Sequence, residues 1–431
     1  MLDIGKLRND FPILKTQVHG KPLIYLDNAA TLQMPSVVME TLESHYLMQN
    51  SNVHRGGHLL SEMSTAAYEK AREKVAKFIC VKDSQQIVFT SGTTAAINMV
   101  AYMLAEFGLQ SEDEILITEM EHHANILIWQ HISKVTGCTL KYINIEKNGC
   151  LDMDSLQKSV NINTKIVALT QLSNVTGIEN PIKEIISYIR EYSNAVILID
   201  GAQGIVHCDT DMEQLDCDFY CFSGHKLGGP TGIGVLYMKE NWLRQLKPVF
   251  FGGGTVYEVS LESKKLYDTV ERFEPGTPNY AGAIGLGAAI DYWEAVSKSD
   301  LVIYEQALMV YLEEKLKAVG QVQILGKAAE RKGALAFEIA GISAYDFCRF
   351  LDLFGIAARS GYHCAQPYIN ALGFNKVTRI SPAIYNTRQE IDKLVEAMVE
   401  IIKVFERNSN NDDAGSRRGH FTRFKRTSRF D

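Results

Sequence analysis

The 431-residue sequence is short of several features, and each shortage excludes something. No run of about 18 apolar residues occurs, so no transmembrane helix is expected. The opening, MLDIGKLRNDFPILK, has no apolar stretch and carries Asp3 and Asp10, so it resembles neither a signal nor a transit peptide. The eight cysteines (Cys80, Cys138, Cys150, Cys208, Cys217, Cys221, Cys348 and Cys364) form no CxxC pair. Without an export signal, that spacing points to reduced thiols in a cytoplasmic setting rather than a disulfide framework. No internal repeat is visible. The net charge of −7 is modest and negative, which argues against a general nucleic-acid binder.

What is present fits a soluble globular protein, with 46% hydrophobic and 22% charged residues. The charge divides unevenly. Seven basic residues against three acidic ones give residues 407–431 a net +4, which leaves −11 on residues 1–406 within the total of −7. The stretch NSNNDDAGSRRGHFTRFKRTSRFD lacks apolar periodicity and reads as a disordered basic tail. Its simplest reading is a solvated extension, set beside an RNA- or partner-binding one.

Strand-like runs alternate with helix-like stretches: QQIVFT, EILIT, TLKYINI, KIVALTQL, AVILID, DFYCFS and GVLYM. Continuous β-branched runs separated by helices predict an α/β fold with a mostly parallel, seven-stranded buried sheet flanked by helices. From about 320 the pattern shifts to short strands plus helices, which predicts a small α+β C-terminal domain. The expected division is 1–24 as an N-terminal segment on the small domain, 25–290 as the large domain, 291–406 as the small domain and 407–431 as the tail.

Four polar clusters follow strands. FSGHKLGGPTGIG places Lys226 just after a buried strand, beside Ser223 and His225, where an amine can form a Schiff base. AVILID carries Asp200 to a strand's carboxyl end, where α/β sheets bind ligands and a carboxylate can pair with a pyridine nitrogen. SGTT puts Thr93 and Thr94 at a helix start suited to phosphate, although such residues also serve as ordinary caps. EHHAN supplies His122, an imidazole able to stack on a flat ring. Together these are the parts a pyridoxal phosphate site requires. Cys217 and Cys221, four apart in one expected strand, are read as core residues on one face. They lack two further ligands, and the pair His122-His123 has no supporting ligand pattern, so no metal is expected.

Several segments together resemble the class V aminotransferases, most closely the SufS-type (group II) cysteine desulfurases, over nearly all of residues 1–406. They are YLDNAAT (25–31), NVHRGGHLLS (52–61), EHHANILIWQ (121–130), SNVTGIENP (173–181), DGAQ (200–203), DCDFYCFSGHKLGGPTGIGVLY (216–237), RFEPGTPN (272–279) and RSGYHCAQP (359–367). The resemblance implies the fold type I of pyridoxal 5'-phosphate enzymes and conversion of L-cysteine to L-alanine. Lys226 would hold the cofactor and shuttle the substrate's α-proton. Asp200 would pair with the pyridine nitrogen, Gln203 with the phenolic oxygen, and His122 would stack on the ring. Thr93, Thr94, Ser223 and His225 would bind phosphate, joined by Thr277 from the partner subunit of a homodimer. Asn174 and Arg379 would hold the substrate carboxylate, with Arg359 and His54 lining the site more loosely.

Cys364 would accept the sulfur as a persulfide; positive charge from Arg359 and His363 would favour a thiolate. The sulfur would serve iron–sulfur cluster assembly through a SufE-like or SufU-like acceptor protein, with no nucleic acid or membrane involved. Two alternatives stand beside this reading: a selenocysteine lyase acting on L-selenocysteine, and a catalytically idle sulfur-carrier or scaffold protein. Where the family commonly has RGTTE, this chain has Ser91-Gly-Thr-Thr-Ala95, which touches an interface or regulatory contact rather than phosphate binding.

Overall fold

In the computed structural model, residues 3–327 and 330–414 are described. Seven strands form the main sheet: β1 (Ile87–Thr90), β2 (Glu114–Thr118), β3 (Thr139–Ile143), β4 (Thr164–Thr170), β5 (Val196–Asp200), β6 (Phe219–Ser223) and β7 (Gly234–Met238). Their spatial order is β1-β7-β6-β5-β4-β2-β3. Only β7 runs antiparallel to its neighbours; the others share one direction.

Each central strand is apolar on both faces, which explains the unbroken runs in the sequence. In β5, Ile197 and Ile199 join one core with Tyr220 and Phe222 of β6. Val196 and Leu198 join the opposite core with Phe219 and Cys221. The first face is covered by helices Leu59–Phe78, Ile182–Tyr192 and Tyr280–Ala295, the second by Thr93–Gly108 and Ala124–Thr136. The small-residue face of Tyr280–Ala295 packs closely: a Cβ added at Gly287 would lie 3.2 Å from the Ala71 Cβ.

One expectation fails in detail. Cys217 and Cys221 do not share a face: Cys217 precedes β6 and packs in the first core, whereas Cys221 packs in the second. Cys217 lies outside the strand and the chain bends at Asp218, so the two-residue period starts only at Phe219. Both thiols are nonetheless fully buried core groups.

The smaller unit is an antiparallel sheet of β8 (Val322–Ile324), β9 (Leu335–Ile339), β10 (Arg359–Gly361) and β11 (Val377–Ile380), ordered β8-β9-β11-β10. Helices Lys298–Lys317, Ala344–Leu353 and the final helix pack on it. The N-terminal segment packs here too. Leu7, Phe11 and Leu14 meet Ala383, Ile384 and Tyr385, and Arg8 pairs with Glu390 at 2.9 Å. The short strand Ile24–Tyr25 pairs in parallel with Ile356–Ala357. The last helix runs Arg388–Ala414, so the boundary expected at 406 falls inside it; extending a formed helix needs no new nucleation. The rest of the expected tail, 415–431, lies outside the described residues. No described helix is long and apolar enough to cross a membrane.

Candidate active site

The parallel direction brings the carboxyl ends of β1, β2, β4, β5 and β6 to one edge of the sheet, where open α/β sheets bind ligands. Lys226 sits in a single 3-10 turn, Gly224–Leu227, directly after β6. Its amine donates to the Ala29 carbonyl, and the Gln203 side-chain amide donates to the same oxygen at 2.8 Å. Burial, reinforced by the Arg379 charge and opposed by Asp200 and Asp27, lowers the Lys226 pKa to about 7. A large part of this amine is therefore unprotonated at neutral pH, the state that attacks a carbonyl.

Asp200 closes β5 and is buried. Burial raises its pKa to about 6, against the opposing pull of the Ala202 amide and Lys226. His122 is held near Lys226, where burial and the Lys226 charge lower its pKa to about 4, so the ring is neutral at pH 7. Its Nδ1 accepts from the Ala124 amide at 3.1 Å. Glu121, just before it, is fully buried beside Asp200. Its carboxyl accepts from the Thr118 hydroxyl (2.6 Å), the Thr170 amide (2.9 Å) and the Asn125 side chain (2.7 Å). Burial pushes Glu121 up to about 8.

At the start of helix Thr93–Gly108, the Thr93 amide and hydroxyl lie 2.8 Å and 2.7 Å from the Ser223 hydroxyl. The backbone here admits no side chain. Gly92 has φ +150°, and a Cβ on Gly234 would lie 2.4 Å from the Gly92 Cα. Thr94 is exposed one position further on. The His225 ring lies 3.3 Å from the Thr31 hydroxyl, and burial lowers its pKa to about 4.

A second cluster faces this one from the small unit. Arg379 is buried, and its donors reach the Asn174 carbonyl (3.0 Å) and Asp27 (3.1 Å), while its Nε has no partner. Arg359 is half exposed and pairs with Asp27 through two nitrogens, the closer at 2.8 Å. Both guanidinium groups lie close enough to Cys364 for their charges to interact with it. Cys364 is exposed. His363 and Cys364 both adopt left-handed backbone, at φ +49° and +56°. Such positions are strained for residues with side chains, at about 1–3 kcal/mol each. They persist because the loop is tied down. The Asn174 side-chain amide donates to the His363 carbonyl (2.8 Å), and the His123 amide donates to the Cys364 carbonyl (2.6 Å).

One expectation about charge is corrected here. His363 does not contribute positive charge, because burial and the Arg379 charge lower its pKa to about 3. The cationic surroundings of Cys364 come from the two arginines. Two expected residues stand apart from the cluster: His54 pairs with Glu69 at 3.1 Å, and exposed Thr277 accepts from Asn52 at 3.4 Å.

Asp27, Glu121 and His123 are the residues that the motifs contained without being assigned a role. Asp27 lay in YLDNAAT, where a carboxylate after a short apolar strand is a usable signal. Glu121 and His123 flank His122 in EHHAN, and no local feature separates their roles from its own.

The residues present fit pyridoxal 5'-phosphate. An uncharged-prone amine, a buried carboxylate, a neutral ring and a side-chain-free cradle meet at one sheet edge. Of these groups, Lys226 lines a cavity of about 1230 Å³, together with Gln203 and Asn28. The unpartnered Arg379 Nε fits a carboxylate.

Comparison with known proteins agrees with this geometry. A family model described as aminotransferase class-V matches residues 24–394. A probable cysteine desulfurase of Halalkalibacterium halodurans is 42% identical over 404 residues, 94% of this chain and 99% of the relative. A cysteine desulfurase of Pectobacterium atrosepticum is 44% identical, over 92% of this chain and 98% of its own. Among solved structures, a cysteine desulfurase of Thermococcus onnurineus superimposes with a TM-score of 0.88 at 35% identity, covering 94% of this chain and 99% of that one. A cysteine desulfurase of Escherichia coli, in an S-sulfonic acid form, gives 0.87 at 37% identity over the same shares.

Proposed function

The chain belongs to the aminotransferase class-V family, and we propose that it is a cysteine desulfurase that converts L-cysteine to L-alanine and forms a persulfide on Cys364. The observation that carries this reading is a pair of nucleophiles of different kind, each near the buried Arg379 guanidinium. Lys226 is a buried amine with a lowered pKa, and Cys364 is an exposed thiol on a strained loop beside two arginines.

The cofactor is pyridoxal 5'-phosphate, which when bound supplies an electron sink for charge developing at the substrate α-carbon. Lys226 would hold it and then move the α-proton. Asp200 would keep a proton on the pyridine nitrogen, while Gln203 would face the phenolic oxygen. The neutral His122 ring would cover one face. Thr93, Thr94, Ser223 and His225 would cradle the phosphate. Arg379, through its free Nε, would bind the substrate carboxylate, and Asp27 would hold both arginines in place. The Cys364 sulfur would attack the substrate sulfur. The S–S bond forms as the substrate's Cβ–S bond breaks, and alanine leaves after protonation. One cysteine and one thiol give one alanine and one persulfide, so no external oxidant is needed.

The finer reading is a SufS-type enzyme that acts as a homodimer and passes sulfur to a SufE-like or SufU-like acceptor for iron–sulfur assembly. Support for the homodimer comes from exposed Tyr46, Leu47 and Met48 at the end of helix Ser36–Met48, and from Thr277, which lies away from this chain's own cluster. The test is alanine formation from L-cysteine, with mass spectrometry of the Cys364 peptide and candidate acceptors added in turn. Loss of persulfide in Cys364→Ser and loss of alanine in Lys226→Ala are expected. Full turnover in both variants would end the proposal. Faster turnover of L-selenocysteine that persists in Cys364→Ala would reassign the substrate.

A further inference from the structure

Two histidines stand side by side in EHHAN, and the site uses only the first. We infer that His123 is a positioning residue that locks the Cys364 loop in its reactive conformation. The inference rests on the desulfurase reading for its purpose, but its geometry stands independently.

His123 holds the loop at two points. Its backbone amide donates to the Cys364 carbonyl at 2.6 Å. Its ring Nε2 accepts from the Gln366 amide at 3.1 Å. Both bonds lie on the C-terminal side of the Cys364 Cα and flank Ala365, so one residue pins the backbone directly after the thiol-bearing carbon. Because Nε2 accepts, the neutral ring must carry its proton on Nδ1. Protonating Nε2 would set a donor against the Gln366 donor, so the clamp requires the neutral ring.

The clamp is mounted on a rigid base. His123 caps helix Ala124–Thr136, whose Asn125 and Trp129 are fully buried. Asn125 bonds to Glu121 at 2.7 Å and Trp129 bonds to Asn125 at 2.9 Å. Glu121 in turn accepts from the Thr170 amide of β4 at 2.9 Å. The hold on the loop thus runs back to the central sheet.

The loop needs such a hold. His363 and Cys364 occupy consecutive left-handed positions, at φ +49° and +56°, without being glycine. Left alone, they would relax toward extended or right-handed backbone and swing the thiol. Asn174 fixes His363 from the same side at 2.8 Å, but nothing in that bond fixes the backbone after Cys364. His122 cannot substitute, because its Nδ1 is turned back to the Ala124 amide at 3.1 Å.

The experiment compares wild type, His123→Leu and His123→Gln as full-length, cofactor-loaded proteins. Glutamine can place an oxygen near the Nε2 position and accept the same bond; leucine cannot. The readouts are the rate of Cys364 alkylation by iodoacetamide, followed by peptide mass spectrometry, and the kcat and KM for alanine formation. In His123→Leu the alkylation rate is expected to change about fivefold and kcat to fall at least tenfold. KM should stay within about twofold, because the residue touches the loop rather than the substrate groups. His123→Gln should recover most of both losses. Cys364 alkylation at the wild-type rate in His123→Leu, or equal impairment of Leu and Gln, would overturn the inference. Alkylation does not depend on turnover. A changed alkylation rate in a protein that makes no alanine would therefore count against the desulfurase reading alone.

Discussion

Lys226 and Cys364 are both nucleophiles, and the molecule mounts them in opposite ways. Lys226 follows a central strand with apolar packing on both faces; Phe222 in that strand is 0% exposed and Leu227, next to Lys226, is 2% exposed. Its position is over-determined by the sheet, and burial supplies the lowered pKa. Cys364 lies in the small unit, exposed, on backbone that no regular element would choose. Its position depends on hydrogen bonds from the large unit. A group that must be neutral and shielded is built into the core. A group that must meet a substrate and then hand sulfur onward is carried on a strained loop and held from outside.

Three changes sharpen or break that contrast. The largest effect is expected at Lys226→Ala, which removes the group that holds the cofactor and moves the proton. Alanine formation should fall by about 10²–10⁴-fold, the range for losing a positioned acid–base group. A residual rate within tenfold of wild type would show that the buried amine is not the working one.

Next is Asp27→Asn, which leaves buried Arg379 without its counter-charge while altering no nucleophile. Breaking such a pair costs about 3–5 kcal/mol. Urea unfolding should report a loss near the lower end of that range, since asparagine keeps one acceptor. A change below about 1 kcal/mol would mean the arginines are held by other contacts.

The smallest effect is a pH dependence. With a pKa lowered to about 7, Lys226 is a cation below that value and a free amine above it. Capture of pyridoxal 5'-phosphate by the cofactor-free protein should accelerate about tenfold per pH unit below 7 and level off above it. An exposed lysine would keep accelerating toward about pH 10.4. Stopped-flow absorbance distinguishes the two, and continued acceleration past pH 8 would contradict burial as the cause.

Much of the large unit was legible in the sequence. The seven apolar runs became the seven strands, because a strand buried on both faces must be apolar at every position. Lys226, Asp200 and Thr93 were legible for a related reason: Asp200 ends such a strand and the other two come within three residues of one, so local order places each at the sheet edge. The helix Leu59–Phe78 and the hairpin of Val256–Val259 with Lys264–Leu266 went unread. The first carries a weak apolar stripe, and the second exposes Tyr257, Val259 and Leu261 instead of burying a face. The shared face expected for Cys217 and Cys221 failed because a bend at Asp218, between the two, cut the period.

By itself, the sequence determined which chemical groups are available and which strand ends carry them, because backbone periodicity and burial are written into neighbouring residues. Only the tertiary structure decided which distant groups meet. Asp27 joins Arg379 across a separation of 352 residues. His123 clasps Gln366 across 243. His363 stays uncharged well below neutral pH because the fold buries it beside Arg379. Such pairings are set by how the two units pack. A hydrogen bond or a desolvated charge depends on ångström-scale distance in space, and position along the chain does not encode it.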